Sequence, residues 1–145
     1  MRKEVFVEMF LMEKEFSPNI LNSGGLGPCV AIGFYNPNEK SGYMLHHPMP
    51  YKDNLDNYFN EIKEDYKDTS NLEIYVTGNS PSMSDDINQI DHYNLRELIE
   101  ESLTDYFYDS KLNYDWTDDY NCITNLILDL EKGHFEVERD YLKSY

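Results

Sequence analysis

The chain reads as an α+β protein: a sandwich of mixed or antiparallel sheets with two main helices covering them. Three observations carry this. Short runs rich in β-branched and aromatic residues, bounded by Gly, Pro, Asn and Asp, recur at both ends of the chain. Two stretches only, residues 54–66 and 93–108, place apolar residues at helical spacing. The last two strand-like runs, 122–130 and 134–141, face each other across the turn Glu131-Lys132-Gly133 as a hairpin. At 145 residues, 40% of them hydrophobic, the expected organisation is one domain over 1–145 with a real core.

Residues 5–12 are apolar-rich and read as a strand that Ser17-Pro18-Asn19 ends. Residues 20–22 form a short extended piece leading to Ser23, and Gly24, Gly25 and Gly27 then permit a sharp turn before Cys29. Residues 30–35 and 42–45 read as two strands joined by the turn chemistry of Asn36-Pro37-Asn38-Glu39. Asp53 is the expected cap of a helix over 54–66, with Leu55, Tyr58, Phe59, Ile62 and Tyr66 on one face. Residues 72–77 follow as a strand and 78–86 as a polar loop. A second helix over 93–108 shows Leu95, Leu98, Ile99, Leu103, Tyr106 and Phe107 on one side. Residues 111–120 read as a long loop with at most a short strand. Residues 122–130 and 134–141, joined at Glu131-Lys132-Gly133, read as a closing hairpin.

The charge balance is 12 basic against 28 acidic residues, net −16. Such a chain is repelled by nucleic-acid backbones and by anionic membranes, and favours a partner with a basic patch. Two cysteines, Cys29 and Cys122, do not make a disulfide framework. The first sixteen residues are interrupted by Glu4, Glu8 and Glu13 too soon for a signal peptide or a membrane span. These readings point to a reducing, cytoplasmic setting. No metal and no cofactor is expected. The clusters Asp85-Asp86 and Asp115 with Asp118-Asp119 lack the calcium-loop pattern, and no phosphate-binding or dinucleotide glycine motif is present. Cys29 with His46 and His47 lacks a further ligand at zinc spacing.

The residues that suggest chemistry are Cys29 and His46. A thiol and an imidazole within reach make a nucleophile and its base. If the turn is centred between Pro37 and Asn38, Cys29 lies directly across from His46, where opposed Cβ atoms sit roughly 5 Å apart. Alternation along the strands then puts Cys29, Ala31, Gly33, Gly42, Met44 and His46 on one face, lightly built and open to an approaching group. Val30, Ile32, Phe34, Tyr43 and Leu45 take the other face, toward the core. His47 points away from Cys29. The glycine turn can aim N–H groups at one point, as an oxyanion requires. Without such a partner, a cysteine beside Val and Ala reads as a small buried hydrophobe.

The run Leu26-Gly27-Pro28-Cys29-Val30-Ala31, then Phe34-Tyr35-Asn36-Pro37 and Gly42-Tyr43-Met44-Leu45-His46, resembles the chemoreceptor glutamine deamidases of the CheD family. That family has a histidine seventeen residues after its cysteine, the interval between Cys29 and His46, and a proline four residues further on, matched by Pro50. Its catalytic threonine lies six residues before the cysteine, where Ser23 stands. The resemblance is specific over 23–50 and looser elsewhere. Pro28 replaces the family's usual serine, and a glycine-arginine segment before the last hairpin is absent. The resemblance implies the deamidase fold shared with bacterial toxin deamidases, with Cys29 as nucleophile, His46 as base and Ser23 orienting His46. It also implies a protein substrate with an exposed glutamine, such as a chemoreceptor. A reading from another class remains beside it: a non-catalytic acidic interaction module on the same fold. The sequence assigns no oligomeric state.

Overall fold

The computed structural model describes residues 2–81 and 86–142. Among these residues nine strands and two helices follow in the order β1 Glu4–Phe6, β2 Leu11–Phe16, β3 Ile20–Asn22, β4 Val30–Asn36, β5 Ser41–His47, α1 Lys52–Asp65, β6 Glu73–Gly78, α2 Asp86–Tyr106, β7 Lys111–Trp116, β8 Cys122–Asp129 and β9 His134–Tyr141. They build two mixed sheets, β1-β3-β8-β9 and β2-β5-β4-β6-β7. The α+β sandwich expected from the sequence is the architecture observed.

Two hydrophobic layers hold it. Val30, Ile32, Phe34, Tyr43 and Leu45 of the larger sheet meet Leu55, Phe59 and Ile62 of α1 and Leu95, Ile99 and Leu103 of α2. The helices therefore cover one face of that sheet, as the helical spacing of these residues requires. The opposite face of the same strands packs against the smaller sheet. There Cys29, Ala31, Tyr35 and Met44 meet Leu21, Leu126 and Leu128, with Val7 and Leu26. The face expected to be open is thus a second core. Gly33 and Gly42 are small because the smaller sheet presses on them. A Cβ on Gly33 would lie 2.5 Å from the Phe135 ring, and one on Gly42 2.7 Å from Leu128.

Several elements differ from expectation for identifiable reasons. The apolar run 5–12 is two strands in different sheets, because the chain turns at Met9 and Phe10, the latter with φ 74°, and crosses from one sheet to the other. The hairpin turn is centred one residue later than expected. The Asn36 side chain accepts from the Asn38 N–H at 3.0 Å, Lys40 takes φ 50°, and Asn36 pairs with Ser41. A centre moved by one residue moves the pairing by two, so each side chain keeps its face but changes its partner.

Helix α1 starts at Lys52, ahead of the expected cap Asp53, and the Asn54 side chain accepts from the Tyr51 N–H at 3.0 Å. Helix α2 begins at Asp86, two turns before the apolar spacing becomes visible, and ends at Tyr106. Of the expected loop 78–86, residues 82–85 lie outside the described residues, Asp85 among them. The stretch read as a loop after α2 contains the six-residue strand β7, parallel to β6 across the α2 crossover. The closing hairpin stands where it was expected.

Candidate functional site

Cys29 sits at the mouth of the inter-sheet layer, between the glycine turn and the first residue of β4. Its loop is pinned on both sides. Leu26 exchanges backbone hydrogen bonds with Thr124 of β8, at 2.7 and 3.0 Å. On the other side, the Asn79 N–H donates to the Cys29 carbonyl at 2.7 Å and the Ser80 N–H to the Gly27 carbonyl at 2.9 Å. Gly78 has φ 96°, and a Cβ there would run into the Cys29 carbonyl. Only glycine fits that close approach. Cys29 is 8% exposed, and burial pushes its thiol above the ordinary value. At neutral pH it is therefore a thiol and not a thiolate.

His46 lies near the end of β5, where it pairs with Ala31 of β4 and Leu11 of β2. Cys29 is thus diagonal to His46 on the same face, not directly across from it. Diagonal neighbours are roughly 7–8 Å apart, less at Cβ, and in this resting structure the two side chains make no hydrogen bond. What the structure does fix is one nitrogen of the His46 ring. The His46 Nδ1 lies 2.9 Å from the Val7 carbonyl oxygen. A carbonyl only accepts, so Nδ1 carries the proton and a neutral ring has its lone pair on Nε2. That Nε2 is buried and has no hydrogen-bond partner among the described residues, and the residue is 6% exposed. An orphaned acceptor in a core is costly and calls for a reason; a proton to be accepted is one.

His47 is held the opposite way. Its Nδ1 accepts from the Met49 N–H at 3.1 Å, and its ring packs edge-on against Phe10 at 5.1 Å. Burial, with His46 beside it, lowers its basicity. Two adjacent histidines therefore carry different tautomers on different faces.

Ser23 does not touch His46. Its hydroxyl donates to the Gly24 carbonyl at 2.7 Å and accepts from the Leu126 N–H at 2.9 Å, which ties the turn to β8. The orienting role expected of it is filled by the Val7 carbonyl. In the turn, the Gly24 N–H is taken by the Asn22 side chain at 2.8 Å and that of Leu26 by Thr124. Pro28 has none. Among the described residues, the N–H groups of Gly25, Gly27 and Cys29 remain as candidate oxyanion donors.

Sequence reading missed Val7 and a polar cluster behind the loop. Val7 acts through its backbone, which leaves no mark on residue type. The cluster centres on Arg96, 8% exposed, which donates to the Asn79 side chain and carbonyl, the Thr117 carbonyl and Asp118. A signal existed: Arg96 stands three residues before Ile99 and seven before Leu103, on the apolar stripe itself.

Among the described residues, no group of three or more His, Cys, Asp or Glu side chains is arranged to hold a metal ion. No helix among them is long and apolar enough to cross a membrane.

Comparison with protein-family models finds no match, and comparison with curated proteins finds none. Among solved structures, the chain is similar to the crystal structure of Bacillus licheniformis hypothetical protein YfiH. The TM-score is 0.48 at 12% identity, over 69% of this chain and 47% of that one. The chain spans about half the length of that protein. A likeness at this level says nothing of residues or activity.

Proposed function

We propose that this protein is a cysteine-dependent protein-glutamine deamidase of the CheD kind, hydrolysing a glutamine side-chain amide to glutamate and ammonia. The observation that carries the reading is the state of His46. Its Nδ1 is fixed on the Val7 carbonyl, and its Nε2 is buried without a partner on the Cys29 face.

On substrate binding His46 Nε2 takes the Cys29 proton, and Sγ attacks the amide carbon. The negative charge that develops on the amide oxygen is met by N–H groups of the turn, those of Gly25, Gly27 and Cys29 having no acceptor among the described residues. The imidazolium returns the proton to the amide nitrogen, ammonia departs, and a thioester remains on Cys29. His46 then takes a proton from water, whose oxygen attacks the thioester, and glutamate and the free thiol are released. A thiol whose burial disfavours the charged form suits this order, in which the proton leaves as the electrophile arrives. Cys29 is diagonal to His46 on one face, and a side-chain rotation that brings Sγ to Nε2 completes the pair in the free protein as well as with substrate bound. A chemoreceptor is the substrate class the resemblance over 23–50 points to, and the charge of −16 favours a basic surface beside the glutamine.

The second reading, an acidic binding module without turnover, is favoured by Pro28 and by the committed N–H groups of Gly24 and Leu26. One experiment separates them. Glutamine-bearing candidate proteins, chemoreceptor cytoplasmic segments first, are incubated with wild type and Cys29→Ser. Ammonia release with a gain of about one dalton at a glutamine, in wild type only, supports the enzyme. Stable binding without ammonia supports the module.

A further inference from the structure

We propose that Arg96 is a positioning residue for Cys29, acting through Asn79. The inference rests on the Cys29–His46 reading above and names what holds the nucleophile in register.

Arg96 reaches inward from α2 with its guanidinium between the Tyr93 and Trp116 rings, 5.6 and 5.2 Å from their centres. Its Nε donates to Asn79 Oδ1 at 2.8 Å. Its Nη2 donates to the carbonyls of Asn79 and Thr117, both at 2.9 Å, and its Nη1 to Asp118 at 2.6 Å. Asn79 thus has its side chain and its carbonyl held by one planar fork, which suits its φ of 57°, a left-handed conformation that asparagine tolerates.

Asn79 passes this constraint on. With Ser80 it grips three successive carbonyls of the nucleophile loop. Its Nδ2 donates to Pro28 at 3.4 Å, its backbone N–H to Cys29 at 2.7 Å, and the Ser80 N–H to Gly27 at 2.9 Å. A trans peptide is planar, with its N–H opposed to its carbonyl. Holding the Pro28 carbonyl toward Asn79 therefore turns the Cys29 N–H away from Asn79. Holding the Cys29 carbonyl fixes where the thiol leaves the backbone. A helix-to-strand tie alone would need only the Thr117 and Asp118 bonds; the remaining two end on the residue that grips the Cys29 loop.

The test is the pH profile of Cys29 alkylation by iodoacetamide, with Cys29 and Cys122 resolved by peptide mapping. The variants are Arg96→Lys, Asn79→Gly and His46→Ala, each checked for wild-type circular dichroism. Arg96→Lys keeps the charge and loses the fork. Asn79→Gly keeps access to the left-handed backbone and loses the side chain. The expected result is that both move the Cys29 profile at least half-way from wild type to His46→Ala, with Cys122 labelling unchanged. Two folded variants with the wild-type profile, while His46→Ala shifts it, would overturn the positioning role and leave the Cys29–His46 reading standing. If His46→Ala also keeps the wild-type profile, that unit is absent and the proposal falls with it.

Discussion

Replacing Gly42 by alanine asks whether the Cys29 face of the β4–β5 hairpin is core or surface, and the two answers differ in sign. On an open strand the change would stabilise, by roughly 0.5–1 kcal/mol, because glycine loses more backbone freedom on folding. Here the added methyl would lie 2.6 Å from the Phe34 carbonyl oxygen, 2.7 Å from Leu128 Cδ2 and 3.0 Å from Leu130 Cδ2. The first neighbour is backbone of the paired strand and cannot rotate away. The other two belong to β8 and its turn, within the inter-sheet core. Relief requires the larger sheet to move off the smaller one, and overpacking of this kind costs about 1–3 kcal/mol. With the unfolded-state gain of about 0.5–1 kcal/mol subtracted from the middle of that range, the net loss is about 1–1.5 kcal/mol. Urea unfolding followed by circular dichroism reads it as a midpoint lowered by about 0.5–1 M at unchanged slope. A midpoint equal to or above wild type would refute the inter-sheet packing of this face, and with it the setting given to Cys29 and His46.

Alkaline pH should destabilise the protein through Tyr43 and Tyr66. Burial raises both phenols, and the bond from Tyr43 to Asp65, 2.6 Å, raises it further. The unfolded chain then releases these protons first, so stability is full below about pH 9 and falls above pH 10, by up to about 1.4 kcal/mol per unit for each group. Urea midpoints at pH 9, 10 and 11 check this, and Tyr66→Phe should lessen the slope; a flat profile would contradict it. His46→Ala should lower deamidation by about 10²–10⁴-fold and far more than His47→Ala, because only His46 presents a free Nε2 on the Cys29 face; equal losses would show the wrong base was chosen. Ser23→Ala should cost about 1–3 kcal/mol in stability by orphaning the buried Leu126 N–H, with a smaller loss of activity than His46→Ala. The reverse ranking would return Ser23 to the orientation of His46.

The closing hairpin and the α1 face were legible because local patterns decided them. Alternation in 122–129 and the turn at Gly133 needed no knowledge of partners. The face of each residue in β4 and β5 was equally legible, since a register moved by two leaves parity intact. What sequence could not give was the partner of each face. Gly33 and Gly42 look like an opening until Phe135 and Leu128, far along the chain, are placed on them. The strand β7 was hidden because its polar and aromatic residues are only half buried at a sheet edge. In the site, Cys29 and His46 announce themselves by chemistry. Val7 gives only a carbonyl. Asn79 and Arg96 acquire meaning from a loop far earlier in the chain.

The central claim is that Cys29 carries the substrate as a thioester. Acid-quenched mixtures of the protein with a glutamine-bearing substrate, analysed by mass spectrometry, test it directly. The predicted result is a Cys29-containing peptide heavier by the substrate peptide less one ammonia, lost on Cys29→Ala together with turnover. Ammonia release that continues in Cys29→Ala, with no adduct on wild-type Cys29, would contradict the account.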